Sequence, residues 1–248
     1  MPIPAKAFQR WLHGIAPHTS TSDICRVSGI KRTTFAQQLV RGKVAEATVV
    51  SISRAYNVNP VSALASFDAY SQLADTRPPT GSELVSQIST PDLLRAILAR
   101  SAADPGGVPT AEAPAGSSAL EPAPHATSVK NWVEAIDDGE LRHRVSAATG
   151  IAPQNYSAQL TANRLAPELA VATSVAAGVG PTGGLVATGL ITEAEAGWPP
   201  GARLAALDSL SGGELTALAG DRLQTLGRAL RRQEHDHETT EKIWENLG

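Results

Sequence analysis

The sequence predicts an all-α protein made of two tandem five-helix modules, each with an extra C-terminal helix, joined by a flexible linker. Three observations carry this expectation. A long stretch of the chain repeats at a constant offset of 121 residues, the distance from Trp11 to Trp132. Apolar residues within each copy recur at helical spacing, and a Pro/Ala/Gly-rich segment separates the copies. The expected boundaries are 1–101 for the first module with its trailing helix, 102–128 for the linker, and 129–248 for the second module with a long C-terminal helix.

The repeat holds its register without a gap. Trp11-Leu12-His13-Gly14-Ile15 returns as Trp132-Val133-Glu134-Ala135-Ile136, Gly29-Ile30 as Gly150-Ile151, and Gln38-Leu39 as Gln159-Leu160. Phe35 falls on Tyr156, Ser53 on Ser174, Val58 on Val179 and Pro60 on Pro181. Pro78-Pro79 falls on Pro199-Pro200, and the stretch from Leu93 resembles that from Leu215 after a small insertion. Each copy therefore ends in an extra helix behind a Pro-Pro break.

In the first copy, Phe8, Trp11, Leu12 and Ile15 give an amphipathic first helix that stops near Gly14–Pro17. Thr21 or Ser22 is placed to cap a second helix, Asp23 suits its positive end, and Ile24 with Val27 or Ser28 forms its inner face. Gly29 permits the left-handed conformation that turns the chain sharply. Ile30 then plugs the angle, and a third helix starts near Lys31 or Arg32. Two helices crossing closely call for a small residue at the contact, which is Cys25 here and Ser146 in the second copy. Phe35 and Tyr156 anchor the third helices, with Leu39 and Leu160 one turn on. Residues 47–60 read as a fourth helix, a turn, and a fifth helix opening on Pro60.

Residues 103–124 are nearly devoid of large apolar side chains and read as a mobile tether. From about Glu214 to Gln233 a long helix is expected, with Leu215, Leu218, Leu223, Leu226 and Leu230 near one face and Arg228, Arg231 and Arg232 near its end. Such a stripe either covers its own module or mediates self-association through 214–233.

The overall charge of −3 conceals an uneven distribution. Residues 1–73 hold eight basic groups against three acids, whereas 129–196 hold four basic groups against seven acids. The single cysteine, Cys25, excludes an intramolecular disulfide and a Cys-based zinc site. No apolar run is long enough to span a bilayer and the N-terminus lacks a signal core, so a soluble cytoplasmic protein is expected. Glu234-His235-Asp236-His237-Glu238 reads as a solvated tail, because neighbouring histidines on a helix point apart. No serine sits in a nucleophile elbow and there is no phosphate-binding loop, so neither an enzyme nor a cofactor is expected. Ile243, Trp244 and Leu247 form a small apolar end.

With this second helix, glycine and third helix, the sequence resembles the lambda-repressor-like helix-turn-helix family of DNA-binding domains, over roughly residues 5–73 and 129–196. More narrowly it resembles immunity repressors of temperate actinobacteriophages, through the phrases from Val49 to Leu64 and from Leu185 to Thr192. It departs from the family where Ser28, Thr149, Gln38 and Gln159 stand in place of buried apolar residues. The resemblance implies a sequence-specific double-stranded DNA-binding transcriptional repressor, nucleoid-associated in a bacterial host. The third helix of each module would then read the major groove.

By that resemblance, base-reading falls to Arg32, Thr33, Gln37 and Gln38 in the first copy and to Gln154, Asn155 and Ala158 in the second. Phosphate contacts fall to Thr21, Ser22, Lys31, Thr34, Arg41 and Lys43, and to Arg142, Asn163 and Arg164, with Arg144 a further grip. The acidic run Asp137, Asp138 and Glu140 sits just before the second copy's second helix. It opens the alternative of a protein-interaction adaptor, of antitoxin or anti-repressor type, in which only the first module binds DNA.

Overall fold

A computed structural model describes residues 3–103 and 119–245. The described chain is all-α apart from one two-residue strand pair, β1 (Ile3–Pro4) against β2 (Lys43–Val44), which ties the N-terminal end to the loop after the third helix. The first copy supplies α1 (Ala5–Ile15), α2 (Thr21–Ser28), α3 (Arg32–Val40), α4 (Glu46–Ala55), α5 (Pro60–Ala65), the 3-10 helix η1 (Asp68–Ala74), α6 (Gly81–Ser86) and α7 (Thr90–Ala103). The second supplies α8 (Ser128–Ile136), α9 (Leu141–Thr149), α10 (Pro153–Thr161), α11 (Pro167–Ala177), α12 (Gly183–Ala187), α13 (Ala202–Ser209) and α14 (Gly212–Glu245).

The repeat is written into the backbone. Left-handed residues occur at matched places: Gly29 and Gly150 (φ 70° and 72°), Gly42 and Asn163 (71° and 48°), and Asn57 and Gly178 (54° and 73°). Buried serines back-bond in register as well, Ser53 to the Val49 carbonyl and Ser174 to the Ala170 carbonyl. Two of the four polar departures, Ser28 and Thr149, are accommodated in the same way. Ser28 donates to the Ile24 carbonyl and Thr149 to the Val145 carbonyl, so these hydroxyls are satisfied within their own helices. Pro60 opens α5 behind an Asn59 cap, as the residue types require.

Two details of the second helix differ from expectation. Ser20, not Thr21 or Ser22, caps α2 by accepting from the Asp23 N–H at 3.1 Å. The inner face uses Ile24, Cys25 and Ser28, while Val27 points outward and is 48% exposed.

The chain forms two compact units that divide it differently from the repeat. Met1–Gln87 and Pro122–Ala202 make one, and Ile88–Glu121 and Arg203–Gly248 make the other. The ten helices α1–α5 and α8–α12 thus belong to a single unit, with one continuous core through both copies. Phe8 meets Phe35 edge-on at 5.9 Å and Trp11 packs on Phe67 at 5.8 Å. Trp132, the counterpart of Trp11, is completely buried, and its indole N–H donates to the buried Glu83 carboxylate at 3.2 Å. Glu83 belongs to α6, which packs on α8, and it also closes a capping box with Thr80.

Close approach makes this junction rigid. A Cβ on Gly183 would collide with Glu83, and one on Gly184 would reach the Trp132 ring at 2.6 Å and the Ala170 carbonyl at 2.9 Å. Arg54 on α4 pairs bidentately with Glu195 at 2.6 and 2.8 Å, and Arg77 donates to the Gly178 carbonyl at 2.7 Å. The Arg54 guanidinium, opposed by partial burial, holds the Glu195 carboxyl below the usual carboxylate range.

In the other unit α7 packs on α14. Ser89 with Asp92 starts α7 as Ser211 with Glu214 starts α14, and Leu93 and Leu215 are both fully buried. The leucine stripe of α14 is divided: Leu215 is covered, whereas Leu223, Leu226 and Leu230 are exposed. The helix also continues beyond Gln233 to Glu245. Residues 104–118 of the expected tether lie outside the described residues, as do the side chains of Ile243, Trp244 and Leu247. Part of its described end is fastened, with the Glu121 N–H bonded to Asp92 and the Glu121 carboxylate to Arg95. No described helix is long and apolar enough to cross a membrane.

Candidate nucleic-acid interface

The α2–Gly29–α3 corner presents one face of α3 outward because Phe35, buried at 2%, and the half-buried Leu39 occupy the other. Arg32, Thr33, Thr34 and Gln37 are exposed along that face. Lys31 stands at its N-cap and Arg41 and Lys43 follow its end, all exposed. Among the described residues, Lys31, Arg32, Arg41 and Lys43 enter none of the ion pairs, which use other cations. Thr21 is exposed and Ser22 half-buried at the start of α2. Asp23 stands beside them, its carboxyl held below the ordinary range first by the Ser20 hydroxyl, then by Arg26, and to a smaller extent by Arg32.

Gln38 serves elsewhere. Its amide oxygen accepts from the Ala45 N–H at 3.2 Å and the Thr48 hydroxyl at 2.9 Å, fastening α3 to the start of α4. Gln159 repeats the device on the Ala166 N–H at 3.0 Å. Both glutamines stand in place of apolar residues because each supplies an acceptor to a loop N–H that the helix cannot satisfy. Gln38, named among the base-reading candidates, is thus half-buried and engaged with the α4 start.

The α1 surface adds Lys6, Gln9, Arg10 and His13, exposed along a shallow groove. Sequence reasoning counted Lys6 and Arg10 in the basic balance but gave them no position. Their spacing of four residues places them on one helical face, which was the available signal.

The second copy is built alike and dressed differently. Gln154, Asn155 and Ala158 are exposed on α10, and Arg142 and Arg164 are exposed beside it. Asn163 is drawn inward: its side-chain oxygen accepts from the Val129 N–H at 3.0 Å and the Lys130 N–H at 3.3 Å, capping α8. This is a structural use of a residue expected to hold phosphate. Arg144 is also engaged, donating to the Ala176 carbonyl at 2.9 Å and pairing with Asp138 at 2.9 Å. Asp137 accepts from the Gly139 and Leu141 N–H groups and Asp138 from that of Glu140. The Asp137 and Asp138 carboxylates therefore cover the N-terminal end of α9, where in the first copy the Ser20 hydroxyl is the cap and Asp23 is the one carboxylate of the first turn. Arg144 foremost holds the Asp138 carboxyl below its usual range.

No group of three metal-ligating side chains occurs among the described residues. The side chains of His237 and Glu238 lie outside them. Compared with protein-family models, curated proteins and solved structures, the chain matches none.

Proposed function

We propose that the protein is a sequence-specific double-stranded DNA-binding regulator that represses transcription by occupying its site. The carrying observation is the exposed face of α3, where Arg32, Thr33 and Gln37 lie between the exposed cations Lys31, Arg41 and Lys43. A helix presented by a left-handed glycine corner, with a guanidinium at its first turn and cations at both ends, fits a major groove flanked by phosphates. The resemblance of Val49–Leu64 and Leu185–Thr192 to actinobacteriophage immunity repressors supports a role in prophage immunity.

Enrichment of a random duplex library on the purified protein tests the reading. A defined motif is expected, with Arg32→Ala relaxing one or two base positions and leaving the circular dichroism spectrum unchanged. Retention of bulk duplex without any motif would count against sequence-specific reading. A second reading, an adaptor in which only the first copy meets DNA, is favoured by the carboxylates over the start of α9. Under it, Gln154→Ala and Asn155→Ala leave the motif intact.

A further inference from the structure

We infer that this single chain is a fused dimer, its second copy standing where another subunit would, and that it binds one duplex site with two unlike half-sites at a fixed helical phase. The inference rests on the proposed DNA reading of α3.

Reciprocity of the contacts between copies carries it. Arg100 donates to the Leu210 carbonyl at 2.6 Å, and Arg222 donates to the Ile88 carbonyl. Once the small insertion is counted, by which Leu93 matches Leu215, Arg100 is the counterpart of Arg222 and Ile88 of Leu210. Each copy thus gives the other the bond it receives, which is the signature of a two-fold, isologous interface. The larger unit repeats the pattern. Segment 68–74 of the first copy, η1, packs on α11, while its counterpart 189–195 holds α4 through the bonds of Arg54 to Leu190 and Glu195. The helices α4 and α11 are themselves counterparts.

The pairing is stiff, because the core is continuous and the glycines at 183 and 184 leave no room for sliding. Two α3-type helices held in this way require half-sites at one spacing, as in a symmetric repressor dimer. Their exposed faces are unlike: Arg32 is matched by Pro153 and Gln37 by Ala158. A palindrome is therefore not the preferred site, and a second chain is not needed.

Selection from a random duplex library, followed by sedimentation on the selected duplex, gives the test. Two dissimilar blocks at constant separation are expected, with one chain of 25.8 kDa bound per duplex. Arg32→Ala should alter one block and Asn155→Ala the other, both residues being exposed. Inserting about 5 or 10 base pairs between the blocks should weaken binding more than about tenfold, since a rigid pair cannot follow either change. A palindrome holding two chains, a single block, or unchanged affinity after both insertions would overturn the inference while leaving DNA reading intact. Absence of any enriched sequence would overturn both.

Discussion

Gln38 and Gln159 do the same work 121 residues apart, whereas Arg32 and Pro153, just as well matched by the repeat, place a cation in one copy and a neutral ring in the other. The contrast recurs throughout. Several positions that bond inward share their chemistry between the copies: the back-bonding serines, the Gly29 and Gly150 corners and the aromatic anchors of α3 and α10. Positions that face outward have drifted towards cations in the first copy and towards amides and carboxylates in the second. A buried donor or acceptor left without its partner costs about 1–3 kcal/mol, while an exposed substitution costs little, so the surface was free to diverge.

The sharpest way to break this comparison is at the tryptophans. Trp132→Ala removes a fully buried indole and takes from the Glu83 Oε1 its indole donor, Oε2 keeping its bonds from Thr80, and should cost about 3–5 kcal/mol in urea unfolding. Trp11→Ala, at a half-buried site, should cost distinctly less, and equal losses would show that the two first helices are loaded alike. For binding, Arg32→Ala should lower affinity for the selected duplex by about 1–3 kcal/mol in a gel-shift titration, with Gln154→Ala at or below the lower end. A larger effect from Gln154→Ala would move the proposed reading from α3 to α10. In the matched pair that should behave alike, Gln38→Ala frees two donors and Gln159→Ala one. Losses of about 1–2 kcal/mol and about 1 kcal/mol are expected by thermal unfolding, and the reverse order would contradict the shared role.

The smallest effect concerns pH. The Glu195 carboxyl titrates lower in the folded chain than in the unfolded one, so its bond to Arg54 stabilises fully above the unfolded value, about 4.3, and fades as the pH falls through the folded one. Acid titration of unfolding between about pH 5 and 3 should therefore be shallower in Glu195→Gln by up to about 1 kcal/mol, a modest figure because Arg54 is 45% exposed. An unchanged slope would show that the pair contributes nothing to joining the copies.

Much of each copy was legible because local rules determine it. Helical spacing placed α1, a glycine placed the corner, and Pro60 marked the start of α5. Caps were less legible, since Ser20, Thr21 and Ser22 are chemically similar and only backbone angles choose among them. The roles of Gln38, Asn163 and Arg144 were hidden for another reason: each bonds to a group on a different element, and sequence spacing carries no record of such distances. The division into compact units was hidden likewise, because charge and composition separate the copies while Glu83, Gly183 and Gly184 join them.

The bond between Glu83 and Trp132 bears on how the chain acquires its shape. Glu83 emerges from the ribosome 49 residues before its indole partner, so a carboxylate destined for complete burial must wait in water while the second copy is made. Contacts of such long sequence separation slow folding and leave half-formed surfaces exposed in the interval. A gene cut after the first copy would release a fragment whose α6 has lost the element it packs against, so failure of the proposed DNA binding in such a fragment would reflect incomplete folding as much as the absence of the second copy.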